Sequence, residues 1–405
     1  MISFEPTEDQ VLMRDAVAQF AKSALRTRVR DFERRRAIPE DIQATAHELG
    51  CGMIALPESV GGQGQGMTTA VLLDEEIAAA DAAAAFSLGG PGPLGLAVAE
   101  LASEAQAREI LAEFAQSPGL TGAVAWSELA PCKERAGFVT TAEKTTAGYV
   151  LRGKKSFVAN AAAAHRFVVF AQVDPEQGWD GIGAFVVDRA DSGVTVLARH
   201  DTLGLNAAWF GEVEFSDVIV PETRRLTGGD GDQAFLRAVL RFFSKHGLLI
   251  AARAVGVSRC AFDLAREYCD TRKAFGKPIG HFQAVAFALS DRLMDLESSR
   301  WLVWRAASAW DGNVPERDAL VRTAQAVSNA LEAAMRITDD GVSLHGGAGF
   351  MRDVLAEKLM RDEKQLAVCS PTAEHFDQLA TALELGCKLD AALVLPTPDS
   401  QAIFT

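Results

Sequence analysis

Twice along its 405 residues this chain changes the spacing of its apolar positions, and few architectures accommodate that. Between residue 7 and about residue 117 they recur every three or four positions, as at Val11, Leu12, Ala16, Val17, Phe20 and Ala21. That is the period of helices with one buried face. A glycine-rich stretch at 56–66 reads as a turn, and 67–80 resumes the helical spacing. After about residue 120, short β-branched or aromatic segments at 148–153, 166–173, 182–187, 193–197 and 212–215 are separated by Gly, Asp and Asn, which describes a small β-domain. From about 230 the helical period returns and runs to about 395, broken near Lys277 and Pro278, at 311–315 and at Gly346 and Gly347. The expectation is a mostly α fold with a middle β-domain: a helical domain at 1–119, a β-domain at 120–229, a helical bundle at 230–395 and a tail at 396–405.

Composition narrows the partners. A formal net charge of −14 opposes attraction to nucleic acid or to anionic lipid, so neither is expected. The longest uncharged run, 82–99, is rich in small residues and broken by Gly89, Gly90, Pro91, Gly92 and Pro93, so it reads as packed helices and a turn rather than a membrane span. Six cysteines lie far apart with no C-x-x-C pair, and the acidic N-terminus has no basic region leading into an apolar core. A cytoplasmic protein with reduced thiols is expected. The seven histidines show no paired spacing suited to a metal, and no G-x-S-x-G elbow or P-loop is present. The glycines of 56–66 lack both a preceding strand and G-x-G-x-x-G spacing, which argues against a dinucleotide loop.

Two later segments point to a cofactor. Arg272, Phe275, Gly276 and Gln283 put a guanidinium, a ring and an amide between one helical pattern and the next; Gly346, Gly347 and Gly349 offer bare backbone beside a helix, followed by Arg361 and Asp362. A guanidinium presents paired donors to pyrophosphate, and bare backbone lets a ligand approach closely. In order and spacing these strings resemble the R-x-x-F-G…Q and H-G-G-x-G-[YF]…R-D motifs of the acyl-CoA dehydrogenase family, and 56–66 resembles that family's P-E-x-x-G-G-x-G loop. The resemblance covers nearly the whole chain. It implies a helical domain, a β-barrel-like domain and a C-terminal four-helix bundle, with FAD lying between the last two and held partly by a neighbouring subunit. It implies that Arg272, Phe275, Gln283, Gly346, Gly347 and Thr372 contact that cofactor. At the flavin-ring end, Ser127 and Glu128 keep the start of the [ST]-E-x-x-x-G-S-D loop but not its Gly-Ser-Asp. The K-x-W-I-T-N string appears as Lys155 to Asn160, where Phe157 can stack on a flavin and Ala159 lacks the hydroxyl.

The same resemblance locates two places for the base that removes a thioester's α-proton. One is the Glu of Y-E-G-T, and Ser370 stands there, between Cys369 and Pro371; the other falls on His246, with Gly247 where many members carry a basic residue. Three readings are open: His246 acts as the base, Glu374 reaches in from the next turn, or this chain abstracts no α-proton. The expected function is an FAD-dependent oxidoreductase of an acyl-CoA or acyl-carrier thioester, with an atypical or missing base. The alternatives are a non-catalytic partner of a Glu-bearing paralogue, or base-free flavin chemistry such as desulfination or oxygenation. A homotetramer or dimer is expected in the first case. Arg241 and Lys245, one helical turn apart, form either a solvated basic face or a contact to pantetheine phosphates.

Overall fold

The computed structural model describes residues 5–117, 119–129, 137–229 and 233–387. Helix α1 (Glu8–Phe20) opens on a reciprocal cap, Thr7 N donating to Gln10 Oε1 at 2.9 Å and Gln10 N to Thr7 Oγ1 at 3.3 Å. Helices α2 (Val29–Arg35), α3 (Glu40–Glu48), α4 (Gly66–Asp81), α5 (Ala84–Ser87), α6 (Gly92–Leu101) and α7 (Glu104–Gln116) follow, so the uncharged run does form helices about a turn. The glycine stretch before α4 serves a cap: Met67 N and Thr68 N donate to the Asp311 carboxylate at 2.6 and 2.7 Å. The helix start is thereby tied to a residue more than 240 positions away.

The middle of the chain forms eight strands among the described residues: β1 (Gly122–Ala125), β2 (Thr141–Thr145), β3 (Gly148–Ala159), β4 (Arg166–Gln172), β5 (Ile182–Asp188), β6 (Val194–Arg199), β7 (Phe210–Val220) and β8 (Arg225–Leu226). They pair in the order β6-β7-β3-β2-β4-β5-β8, with β1 running parallel to β4. β4 reads as continuous apolar sequence because both of its faces are covered. Phe167, Val169 and Ala171 enter the core of the β-domain, while Val168 and Phe170 join the helical core. Phe170 meets Phe243 at 5.7 Å between centroids, and Trp126 meets the same ring edge-on at 5.4 Å.

The C-terminal domain holds α8 (Ala234–Thr271), a hairpin of β9 (Lys273–Ala274) and β10 (Lys277–Pro278), then α9 (Gln283–Asp311), α10 (Glu316–Leu344), α11 (Ala356–Leu366) and α12 (Ala373–Leu385). α8, α9, α10 and α12 pack as a bundle, and α4 lies along α8. Arg361 and Asp362 fasten the three parts together. Arg361 reaches Glu33 at 2.6 Å, Glu357 at 2.7 Å and the Leu203 carbonyl at 3.0 Å, while Asp362 accepts from Leu205 N at 2.7 Å. Buried Lys358 joins Asp362 to Asp81 of α4, at 2.5 and 3.1 Å. Gly204 must be glycine here, since a Cβ would sit 2.1 Å from the Arg361 carbonyl oxygen.

Arg241 and Lys245, which the sequence leaves as either a solvated basic face or a contact to pantetheine phosphates, are not solvated in the structure. Both side chains are spent on Glu100 of α6, at 2.7 and 2.6 Å, and Arg241 also meets Glu316 at 3.2 Å. Packing of α6 on α8 sets this carboxylate opposite them, so no free basic face remains. Cys51, Cys260, Cys269, Cys369 and Cys387 are free thiols; Cys132 and the 396–405 tail lie outside the described residues. Among the described residues no helix is long and apolar enough to cross a membrane, and no cluster of metal-binding side chains occurs.

Candidate active site

A cavity of about 310 Å³ lies where β1 and β3 of the β-domain meet α4, α6 and α8. Its β-domain wall carries Trp126, Ser127, Phe157 and Ala159. Ser127 is fixed by backbone: its carbonyl accepts from Ser156 N at 2.8 Å. Glu128, next along, anchors the loop by accepting from Val139 N at 2.8 Å, Thr140 N at 3.0 Å and buried Lys155 Nζ at 2.8 Å. Burial drives the Lys155 ammonium down to about 8, against the pull of Glu128. The kept Ser-Glu pair thus holds the wall in shape. A β-bulge between Lys155 and Val158 turns Phe157 outward at φ 55°, a left-handed value rare for a ring-bearing residue. Its ring, half exposed, stacks on His200 at 4.5 Å.

On the helical wall stand His246 and Cys369. The His246 ring is buried flat against Phe242, and its Nε2 lies 3.3 Å from the Cys369 carbonyl oxygen. A carbonyl only accepts, so Nε2 carries the hydrogen and Nδ1 the lone pair. Burial, aided by the nearby Arg253 guanidinium, draws this imidazole down to about 4, so it is neutral at physiological pH. Ser370 is buried, gives its hydroxyl hydrogen to the Pro371 carbonyl at 3.0 Å and does not line the cavity; Cys369 does. The Cys369 thiol, pushed well up by burial, stays protonated and donates to the Gln365 carbonyl at 3.2 Å. Gly247 is bare for a packing reason: a Cβ there would lie 2.5 Å from the buried ring of Phe376. Glu374 is exposed on α12 and away from the cavity, and Thr372 precedes α12 with Oγ1 3.0 Å from His375 Nδ1.

The remaining sequence candidates gather elsewhere, at one end of the bundle. Arg272 ends α8, Phe275 tops the β9–β10 hairpin at φ 51° and 95% exposure, and Gln283 begins α9. Tyr268, one turn before Arg272, stacks on His345 at 4.7 Å, which brings Gly346 and Gly347 alongside. A Cβ on either glycine would meet nothing within 4 Å, and the exposed Arg272 guanidinium has no protein partner among the described residues. None of these residues lines the cavity. Sequence reasoning also passed over a pair inside it. Asp74 of α4 accepts from Arg253 Nε at 2.7 Å, and the guanidinium lies 4.6 Å over the Phe86 ring. A charged residue in the small-residue stretch 251–256 was the available signal.

The chain is similar to known proteins along nearly its whole length. The family models described as the N-terminal, middle and C-terminal domains of acyl-CoA dehydrogenase match residues 7–117, 123–218 and 236–374. The chain is 30% identical to cyclohex-1-ene-1-carbonyl-CoA dehydrogenase of Geobacter metallireducens over 90% of this chain and 95% of that one. It is likewise 30% identical to an acyl-CoA dehydrogenase of Bacillus subtilis, over 91% and 96%. Butyryl-CoA dehydrogenase of Megasphaera elsdenii superposes with a TM-score of 0.86 at 28% identity, covering 95% of this chain and 100% of that one.

Proposed function

Because this chain belongs to the acyl-CoA dehydrogenase family, we propose that it is an FAD-dependent oxidoreductase of acyl-CoA thioesters in which His246 takes the place of a carboxylate base. The residues suit the cofactor. The unpartnered Arg272 guanidinium and the open backbone at Gly346 and Gly347 fit a pyrophosphate, while the Ser127 and Phe157 wall fits a flat ring. When bound, FAD supplies a hydride acceptor for the thioester's β-carbon.

One observation carries the choice of base: of the two family base positions, only His246 lines the cavity. At about 4, its basicity matches an ordinary Glu carboxylate near ~4.3. Proton acceptance therefore falls to Nδ1 of a ring that is already deprotonated at neutral pH. Unlike a carboxylate, the ring becomes a cation when it accepts, and Arg253 opposes that charge.

The same reading makes the protein an oligomer, a homotetramer or dimer. The Arg272 end and the cavity share no chamber within one chain, so one cofactor spanning both kinds of site draws on two copies. Phe287, Met294 and Trp301, seven residues apart on α9, leave an exposed apolar stripe suited to that contact. The free thiols among the described residues support a cytoplasmic setting. A second reading, the non-catalytic partner of a Glu-bearing paralogue, is favoured by Ser370, whose hydroxyl is turned into the protein. Anaerobic addition of acyl-CoAs to the FAD-loaded protein separates the two. Flavin bleaching by a saturated thioester supports the dehydrogenase, whereas a spectral shift without bleaching supports the partner subunit. Oxygen uptake with an external reductant and no bleaching would point to base-free flavin chemistry.

A further inference from the structure

We infer that the buried Asp74–Arg253 pair recognises a hydroxyl group carried on the acyl chain beyond its reacting carbons, so that this enzyme selects oxygenated rather than plain aliphatic thioesters. The inference rests on the proposed function above and specifies its substrate class. His246, Leu249 and Arg253 follow one another along one face of α8, and Ala70, Leu73, Asp74 and Ile77 form the facing stripe of α4. Seven residues of helix separate His246 from Arg253, a rise of ~10 Å. The guanidinium is still close enough to act on His246, so a polar group meeting Arg253 sits along the acyl chain beyond the reacting carbons.

The pair is not saturated by protein. Arg253 spends Nε on Asp74 Oδ2, while neither Nη group has an acceptor and Asp74 Oδ1 has no donor among the described residues. None of these atoms is among the fully enclosed polar atoms that lack partners, so they face the cavity their residues line. The Phe86 ring beneath the guanidinium keeps its plane fixed. A buried ion pair gains little over apolar residues of the same volume, so stability alone gives no reason for it in a chamber otherwise lined mostly by apolar groups.

The chemistry of the guest follows from the charges. Arg253 is the one guanidinium and Asp74 the one carboxyl lining the cavity among the described residues; burial raises the Asp74 carboxyl and Arg253 beside it pulls the other way, and as an ion pair they carry no net charge. A guest carboxylate would place a second anion beside Asp74 against a single guanidinium. A hydroxyl accepts from Nη and donates to Oδ1, completing both partners without adding charge. A plain methyl end leaves those groups desolvated and unmatched.

Titration of FAD-loaded protein with octanoyl-CoA, ω-hydroxyoctanoyl-CoA and octanedioyl-CoA, read from the flavin absorbance shift, tests this. The hydroxylated chain is expected to bind at least ~10-fold tighter than octanoyl-CoA, with the diacid weakest. An Asp74→Leu/Arg253→Leu double variant, which strands neither charge, is expected to lose the preference. Equal or tighter binding of octanoyl-CoA or of the diacid by the unaltered protein overturns the inference, as does a preference that survives in the double variant. If that variant does not fold, the panel on the unaltered protein still decides. Binding without preference removes only this inference, whereas no spectral response to any of the three thioesters removes the proposed function with it.

Discussion

Two buried acid–base groups make stability depend on pH in opposite directions. His246 is held near 4 in the folded chain against ~6.5 when unfolded, so the unfolded chain binds more protons between those values. Its contribution is present above the higher value and is lost as pH falls through the lower one. Glu363 behaves the other way. It is fully buried, neither carboxyl oxygen has a hydrogen-bond partner, and burial raises it well above the usual range. The folded chain keeps that proton after the unfolded chain has lost it, so stability falls as pH rises from ~4.3 towards the raised value. Denaturant unfolding between pH 4 and 9 is therefore expected to show Glu363→Gln gaining roughly 1–3 kcal/mol at neutral pH, and His246→Gln flattening the acid limb. An unchanged acid limb would mean that His246 is not held neutral. Residue roles were only partly legible in the sequence. The spacing of Arg272, Gln283 and the Gly346–Gly347 pair could be read directly, but the meeting of Asp74 with Arg253 spans 179 positions and leaves no periodic trace.

At the scale of elements, apolar period was a good guide because each strand and helix buries a face that the spacing must reproduce. β4 shows this, feeding alternate residues to two cores. What spacing did not convey was the contact between elements, such as Asp311 capping α4 or Glu100 taking up Arg241 and Lys245. Gly247 is a further case. Helix propensity alone favours Gly247→Ala by ~1 kcal/mol. Against that, the new Cβ meets the enclosed Phe376 ring at 2.5 Å, and overpacking of this kind costs ~1–3 kcal/mol. The clash is the larger effect, so the variant is expected to melt at a lower temperature. A higher melting temperature would show that α12 shifts freely on α8.

At the scale of the whole molecule, the proposed assembly joins one chain's cavity to another chain's Arg272 end through the exposed stripe on α9. Placing glutamate at Met294 and Trp301 together is expected to yield a smaller species by light scattering and less flavin retained per chain. An unaltered mass would place the interface elsewhere. The most direct test concerns the reaction itself, in the intact assembly: the rate at which a saturated acyl-CoA bleaches bound flavin under anaerobic conditions. His246→Ala is expected to slow that rate by at least ~100-fold, the lower range for loss of a general base, with the thioester's spectral shift retained and Ser370→Ala unaffected. An unslowed His246→Ala variant, or unaltered protein that binds thioester without bleaching, would contradict the account.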